Sequence, residues 1–183
     1  MPTYIAFLRA INLGSTRKFP KAAIVRACEA AGFTEVETYI NSGNVRVTTP
    51  LRSVVKVEAA LEQAFLDEAG FEVPTIALSQ KELRDIAADA VELGEGHDGR
   101  YYVSLLKKAP SAQAVKDLDG TGNAGERAVV RGRGAHLLLG KDYHSAKLTN
   151  AVVEKHLGVS TNRNLNVIRT LAEKWGGGES SVS

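Results

Sequence analysis

"EVETYINSGNVRVTT" (Glu35–Thr49) decides the fold. "EVETYI" and "VRVTT" are rich in β-branched and aromatic residues and read as strands. "NSGN" joins them with the residues that tight turns favour, so the pair is predicted to be an antiparallel β-hairpin. Upstream, "TYIAFLRAI" (Thr3–Ile11) reads as a buried strand, and a helix is expected from Pro20 to about Ala31 with Gly32 as its stop. Downstream, Val54, Val57, Leu61 and Phe65 fall at helical spacing, so a second helix is expected over about Leu51–Ala69. "VPTIAL" then gives a further short strand. Strand–helix–strand–strand–helix–strand is the ferredoxin-like order.

The remainder repeats most of that order. An acidic helix (about Gln80–Val91) and a "GEGHDG" loop precede the strand "RYYVSLL" and the short helix "SAQAVKDL". "RAVVRGRGAHLLLG" reads as a second hairpin turning at Gly132–Gly134. "HSAKLTNAVVEKHLG" reads as a helix capped by His144 or Ser145 and ending at Gly158. "STNRNLNVIRTLAEKW" (Ser160–Trp175) then gives the last helix, with Leu165, Ile168, Leu171, Ala172 and Trp175 on one face and Asn164 as its N-cap. The fold class expected is α+β, with two ferredoxin-like βαββα-type halves of antiparallel sheet flanked by helices. The divisions expected are 1–78 for the first half, 79–99 for an acidic helix and linker, 100–175 for the second half, and 176–183 for a disordered tail.

The chain has 183 residues, 44% hydrophobic and 24% charged, which is enough apolar material for a core without disulfides or metal. Its single cysteine, Cys28, lies in an apolar helical pattern and is expected to be a buried, inert thiol. "MPTYIAFLRAIN" lacks a basic stretch followed by a long apolar run, so no signal peptide is expected. No stretch is long enough to span a bilayer, and the expected location is cytoplasmic. The net charge of +2 is unevenly spread: residues 1–78 are neutral, 79–99 carry −4 and 100–183 carry +6. A basic second half favours an anionic partner, or is simply a solvated surface with excess charge.

Motifs for known chemistry are sparse. "DGTGNAG" (Asp119–Gly125) lacks P-loop spacing and a following helix, so it reads as a flexible loop. His97, His136, His144 and His156 have no metal-ligand spacing, and no metal or cofactor is expected. Ser145 and Lys147 are two apart on the expected helix, where their side chains diverge. Tyr101 and Tyr102 lie on a strand, without the aromatic motif of sheet-type RNA binders.

Polar residues concentrate in two places. In the first half they are Arg9 and Asn12 near the end of the first strand, with Asn41, Ser42 and Asn44 at the hairpin tip. These serve a ligand, or only the turns that Asn and Gly favour. Arg9 interrupts an apolar strand and so belongs either to an exposed face or to a buried polar network. In the second half they are Ser145, Lys147, Asn150, Asn162, Arg163 and Asn164. A helix start beside a guanidinium suits an anion, although Arg163 serves equally as the partner of a carboxylate. If the link "GVSTNRN" is extended, Lys147, Asn150 and Arg163 approach one another on one surface.

"FLRAINLG", "TYINSGNV" and "KLTNAVVEKHLGVSTNRNLNVIRTL" together resemble the uncharacterised bacterial family numbered 1697 among domains of unknown function. The resemblance runs from about Thr3 to Leu171. It implies paired ferredoxin-like units and carries no activity. The polar motif positions of the family fall here on Arg9, Asn12, Ser42, Gly43, Asn44, Lys147, Leu148, Thr149, Asn150, Thr161, Arg163 and Asn164. Three positions depart: Ala10 replaces a glycine, Ala146 a serine and Leu165 an aromatic residue. The functions consistent with the sequence are binding of a phosphate-bearing ligand, whether nucleotide or nucleic acid; an enzyme acting on a small anionic metabolite or nucleotide; and a protein-interaction module. No membrane partner is expected, and the oligomeric state is left open.

Overall fold

The computed structural model describes residues 1–178, and they divide between Glu82 and Leu83 into two compact units. The first unit runs β1 (Thr3–Leu8), α1 (Lys21–Ala30), β2 (Thr34–Tyr39), β3 (Asn44–Thr48), α2 (Val54–Ala69) and β4 (Thr75–Ser79). Its strands form one antiparallel sheet in the order β2-β3-β1-β4. Both helices pack against one sheet face, around Tyr4, Ala6, Leu8, Val45, Val47 and Ala77. On alternate positions, Ile5, Phe7, Ile76 and Leu78 are also fully buried. The central strand therefore reads as a continuous apolar run, as a strand buried on both faces must.

α3 (Gln80–Gly94) follows β4, and the second unit continues with β5 (Tyr101–Leu106), α4 (Ala112–Leu118), β6 (Arg127–Arg131), β7 (Gly134–Leu138), α5 (Asn150–Leu157), β8 (Ser160–Asn164) and α6 (Leu165–Trp175). The sheet order is β6-β7-β5-β8, the same permutation as in the first unit. One face packs α4 and α5 over Leu106, Ala135 and Leu137. On the other face, Arg131 of β6 pairs with Asp89 and Glu92 of α3, at 3.1 and 3.2 Å. Arg84 of α3 also donates to the carbonyl of Gly176, just beyond α6.

The duplicated α+β fold and both hairpins are as the sequence predicts. Three details differ. The link "STNRN" is the strand β8, so the second half runs βαββαβα from Tyr101 rather than βαββα. The helix expected from His144 begins at Asn150, with Thr149 as its N-cap; only a 3₁₀ turn, Tyr143–Ser145, lies before it. The division falls at Glu82/Leu83 inside α3, not at a separate linker over 79–99, because the apolar positions Leu83, Ile86, Ala87 and Ala90 are buried in the second unit. Of the expected tail, 179–183 lies outside the described residues. Among the described residues no helix is long and apolar enough to cross a membrane.

Candidate functional site

In the first unit the polar residues hold two loops together. Asn12 Nδ2 donates to the carbonyls of Phe19 (3.2 Å) and Asn41 (2.9 Å), and Asn12 Oδ1 accepts from the N–H of Phe19 at 2.8 Å. Asn44 is fully buried; its Nδ2 donates to the Tyr39 carbonyl and to Ser42 Oγ, both at 3.0 Å. These bonds flank backbone in the left-handed region at Asn12 (φ 53°) and Ile40 (φ 51°), and Arg17 Nε donates to the carbonyl of a third such residue, Ala10 (φ 56°). For a β-branched residue such as Ile40 that conformation is strained and needs a surrounding structure that enforces it. Arg9 lies just beyond β1 rather than inside it, half-buried, with its N–H bonded to the Pro74 carbonyl at 2.9 Å. Asn41 and Ser42 are exposed at the tip.

In the second unit the carboxylate of Glu126 occupies the place where an anion was expected. It accepts from the backbone N–H groups of Asn123 (3.2 Å), Lys147 (3.0 Å) and Leu148 (3.0 Å), and from Asn123 Nδ2 at 3.0 Å. Burial pushes its carboxyl upward, but these hydrogen bonds outweigh burial and hold it below the usual carboxylate range. Ser145 is exposed, its hydroxyl donating to the Asp142 carbonyl at 3.1 Å. Lys147 and Ser145 therefore lie beside an internal clasp, not at an open helix start. No motif marks Glu126 in the sequence, since beyond its neighbour Asn123 its donors Lys147 and Leu148 come from a segment more than twenty residues away.

Asn150 and Asn162 do come together, through Ser104. Ser104 Oγ lies 3.2 Å from Asn150 Oδ1 and also against Asn162 Oδ1. Ser160 Oγ donates to Asn150 Oδ1 at 3.0 Å, and Asn150 Nδ2 donates to the Ser160 carbonyl at 3.3 Å. Ser104 and Ser160 are fully buried, while both asparagines are half-buried. Arg163 does not join them. It is the next residue along β8, so its side chain leaves the opposite face of the sheet. There it is buried, donating to Thr161 Oγ1 at 2.9 Å and to the Asn162 carbonyl at 2.8 Å. Burial pulls its guanidinium down to about 10, still protonated at neutral pH. The expected meeting of Lys147, Asn150 and Arg163 on one surface is replaced by this division between faces.

Asn164 caps α6, its Oδ1 accepting from the Val167 N–H at 2.9 Å. It also borders a cleft of about 290 Å³ lined by Gly99, Arg100, Tyr102 and Asn166, together with Tyr101 and Leu165. A helix leaves its first N–H groups without intrahelical partners, and those of Leu165 and Asn166 belong to this end of α6. Arg100 is exposed at the cleft, with Nε directed to the Lys141 carbonyl at 3.4 Å. Tyr101 donates or accepts across 2.8 Å to His136 Nδ1. Burial first, then Asp89, pushes the Tyr101 hydroxyl up to about 12. The residues missed in the sequence are Arg100, Ser104, Ser160 and Glu126; Tyr102 was noticed only as a strand tyrosine.

These units and their polar ends define a class: a duplicated ferredoxin-like α+β protein. Residues 1–135 match the family described as protein of unknown function (DUF1697), and the chain belongs to that family. The match ends before the Lys147–Asn150 and Thr161–Asn164 motifs. A solved structure, that of a conserved bacterial protein from Streptococcus pneumoniae, is similar at a TM-score of 0.72 and 19% identity, over 95% of this chain and 98% of that one. At that identity the likeness concerns the fold. No curated protein matches the chain.

Proposed function

We propose that the second unit binds a small phosphate-bearing ligand, of mononucleotide size or less, in the cleft at the start of α6. The observation that carries this reading is the charge of the lining. The cleft of about 290 Å³ presents Arg100, asparagine amides and a helix N-terminus, and among the described residues no carboxylate. Three larger clefts each present more carboxylates than cations: Glu95 and Glu126 beside Arg127 in one of about 450 Å³, and Asp119 and Glu126 beside Arg127, or Glu62 with Glu72, in two of about 340 Å³. An anion is repelled from those and attracted to the first. The volume sits at the low end for ligand sites, about 300–1,000 Å³, which suits a mononucleotide or a sugar phosphate rather than a dinucleotide.

Binding without turnover is favoured over an enzyme acting on a small anion. Among the described residues the lining holds no aspartate, glutamate, histidine, lysine or cysteine to serve as base or nucleophile. Tyr101, with its hydroxyl near 12, stays protonated at neutral pH. Isothermal titration with a nucleoside monophosphate tests the reading. Arg100→Ala should weaken binding by about 1.5–3 kcal/mol, as loss of a charge-assisted hydrogen bond does. Unchanged affinity in that variant would move the ligand elsewhere.

A further inference from the structure

The strand registers align the two halves residue by residue. Tyr4, Ala6 and Leu8 of β1 stand opposite Ser79, Ala77 and Thr75 of β4. Tyr102, Ser104 and Leu106 of β5 stand opposite Asn164, Asn162 and Ser160 of β8. The central strands agree, since Tyr4 faces Val47 and Tyr102 faces Leu137. The caps agree too. Ser79 Oγ accepts from the N–H of Glu82 at the start of α3, as Asn164 does from Val167 at the start of α6. Ser53 caps α2 and Thr149 caps α5, which aligns Val54 with Asn150 and Glu58 with Glu154. Both glutamates accept an N–H from the following edge strand, Glu58 from Ala77 at 2.9 Å and Glu154 from Ser160 at 3.2 Å.

Against that alignment three positions change character. Ala6 and Ala77 are fully buried and Val54 packs on the apolar core of the first unit. Their equivalents are Ser104, Asn162 and Asn150. The fold thus forms with an apolar layer here, and the polar layer of the second unit is not a requirement of the topology. Polar groups in such a layer add little net stability even when hydrogen-bonded, because they give up their bonds to water.

Proton accounting gives this layer a direction. Ser104 has one hydroxyl proton for two amide oxygens, and Asn150 is held in its orientation by both of its bonds to Ser160, so Asn150 Oδ1 takes the proton at 3.2 Å. Asn162 Oδ1 against the same oxygen would leave two acceptors facing each other. Turning the Asn162 amide over lets Nδ2 donate to Ser104 Oγ and leaves Oδ1 as an acceptor on the half-buried, outward side. Asn162 and Asn164 are two residues apart on one face of β8. Their spacing is therefore about 6.6 Å, comparable to the span of a pentose between its phosphate and its ring hydroxyls.

We infer that Asn162, oriented by Ser104 and Asn150, is a specificity residue that accepts a hydrogen bond from a hydroxyl of a sugar phosphate whose phosphate lies at the α6 cleft. The inference rests on the reading of that cleft as a phosphate site. Asn162 reads the sugar; Ser104, Asn150 and Ser160 position its amide.

The test titrates the full chain with ribose phosphate, methyl phosphate and inorganic phosphate, in the wild type and in Asn162→Ala and Ser104→Ala, which restore the residues of the first half. Wild type should prefer ribose phosphate over methyl phosphate by about tenfold, the worth of one good hydrogen bond. Both variants should lose that preference, keep their affinity for inorganic phosphate, and melt no lower than wild type. Wild type that binds all three probes equally, or variants that keep the preference, would overturn the sugar assignment and leave the phosphate site standing. Variants that melt several degrees lower with ligand preference intact would make the layer structural. Absence of binding by any probe would overturn both readings.

Discussion

His136 sits fully buried in β7 with Nδ1 2.8 Å from the Tyr101 hydroxyl. Its Nε2 is buried without a hydrogen-bond partner among the described residues. Burial pulls its pKa down to about 4, with Arg131 adding to the effect and Asp89 opposing it. The folded protein therefore holds a neutral ring where the unfolded chain, near 6.5, takes up a proton. Between pH 6.5 and 4 the unfolded state binds more protons, so stability is lost as pH falls through that window. The full loss is of order 3 kcal/mol, the worth of a ring whose pKa falls from 6.5 to about 4 on folding. Urea titrations at stepped pH check this: the slope of stability against pH over that window should be shallower in His136→Gln than in wild type, and equal slopes would show that another group governs it. Cys28 is a second buried group legible in advance. Its apolar helical setting is visible in the sequence, and burial, aided by Glu29, raises its thiol to about 12. His136 could not be read this way, because its burial depends on α3 lying over β7, a contact between distant segments.

At the level of elements, the first hairpin is the part most fully written in local sequence. Gly43 shows why. Its φ is +82°, and a Cβ there would lie 2.7 Å from Leu8 Cβ and 2.9 Å from Ile11 Cδ1. Leu8 Cβ is attached directly to the backbone and cannot swing away, so Gly43→Ala combines left-handed strain with overpacking. The expected loss is about 2–4 kcal/mol by chemical denaturation. Gly14 is the control: its φ is +60° with nothing within 4 Å, so Gly14→Ala should lose only about 1 kcal/mol. Equal losses at the two positions would mean that the contact with Leu8 carries no weight. β8 is the opposite case. "STNRN" has little strand propensity, and it becomes a strand because β5 offers an unpaired edge and Glu154 secures its first N–H. The helix start expected at Ser145 fails for a related reason. Glu126, from the β6 side, binds the N–H groups of Lys147 and Leu148 and holds that segment outside a helix.

For the whole molecule, the charge distribution and the cleft make separable claims about partners. Residues 100–183 carry a net +6, a field that attracts any polyanion through many exposed cations together. Such binding releases counterions and fades with salt. A short single-stranded RNA should lose more than about tenfold in affinity between about 50 and 200 mM salt, and Arg100→Ala should scarcely alter it. RNA binding that resists salt and disappears in Arg100→Ala would instead make the cleft a nucleic-acid site. The sequence by itself determined the duplicated order of strands and helices apart from β8, both hairpins, the burial of Cys28 and the cap at Asn164. Each of these depends on periodicity or turn chemistry within a few neighbouring residues. Only the tertiary structure decided which polar residues meet. It sent Asn162 and Arg163 to opposite faces of one strand, filled the N–H groups at Lys147 and Leu148 with Glu126, and brought Arg100 to Asn164. Those outcomes follow from strand register and from contacts between distant segments, which local pattern does not encode.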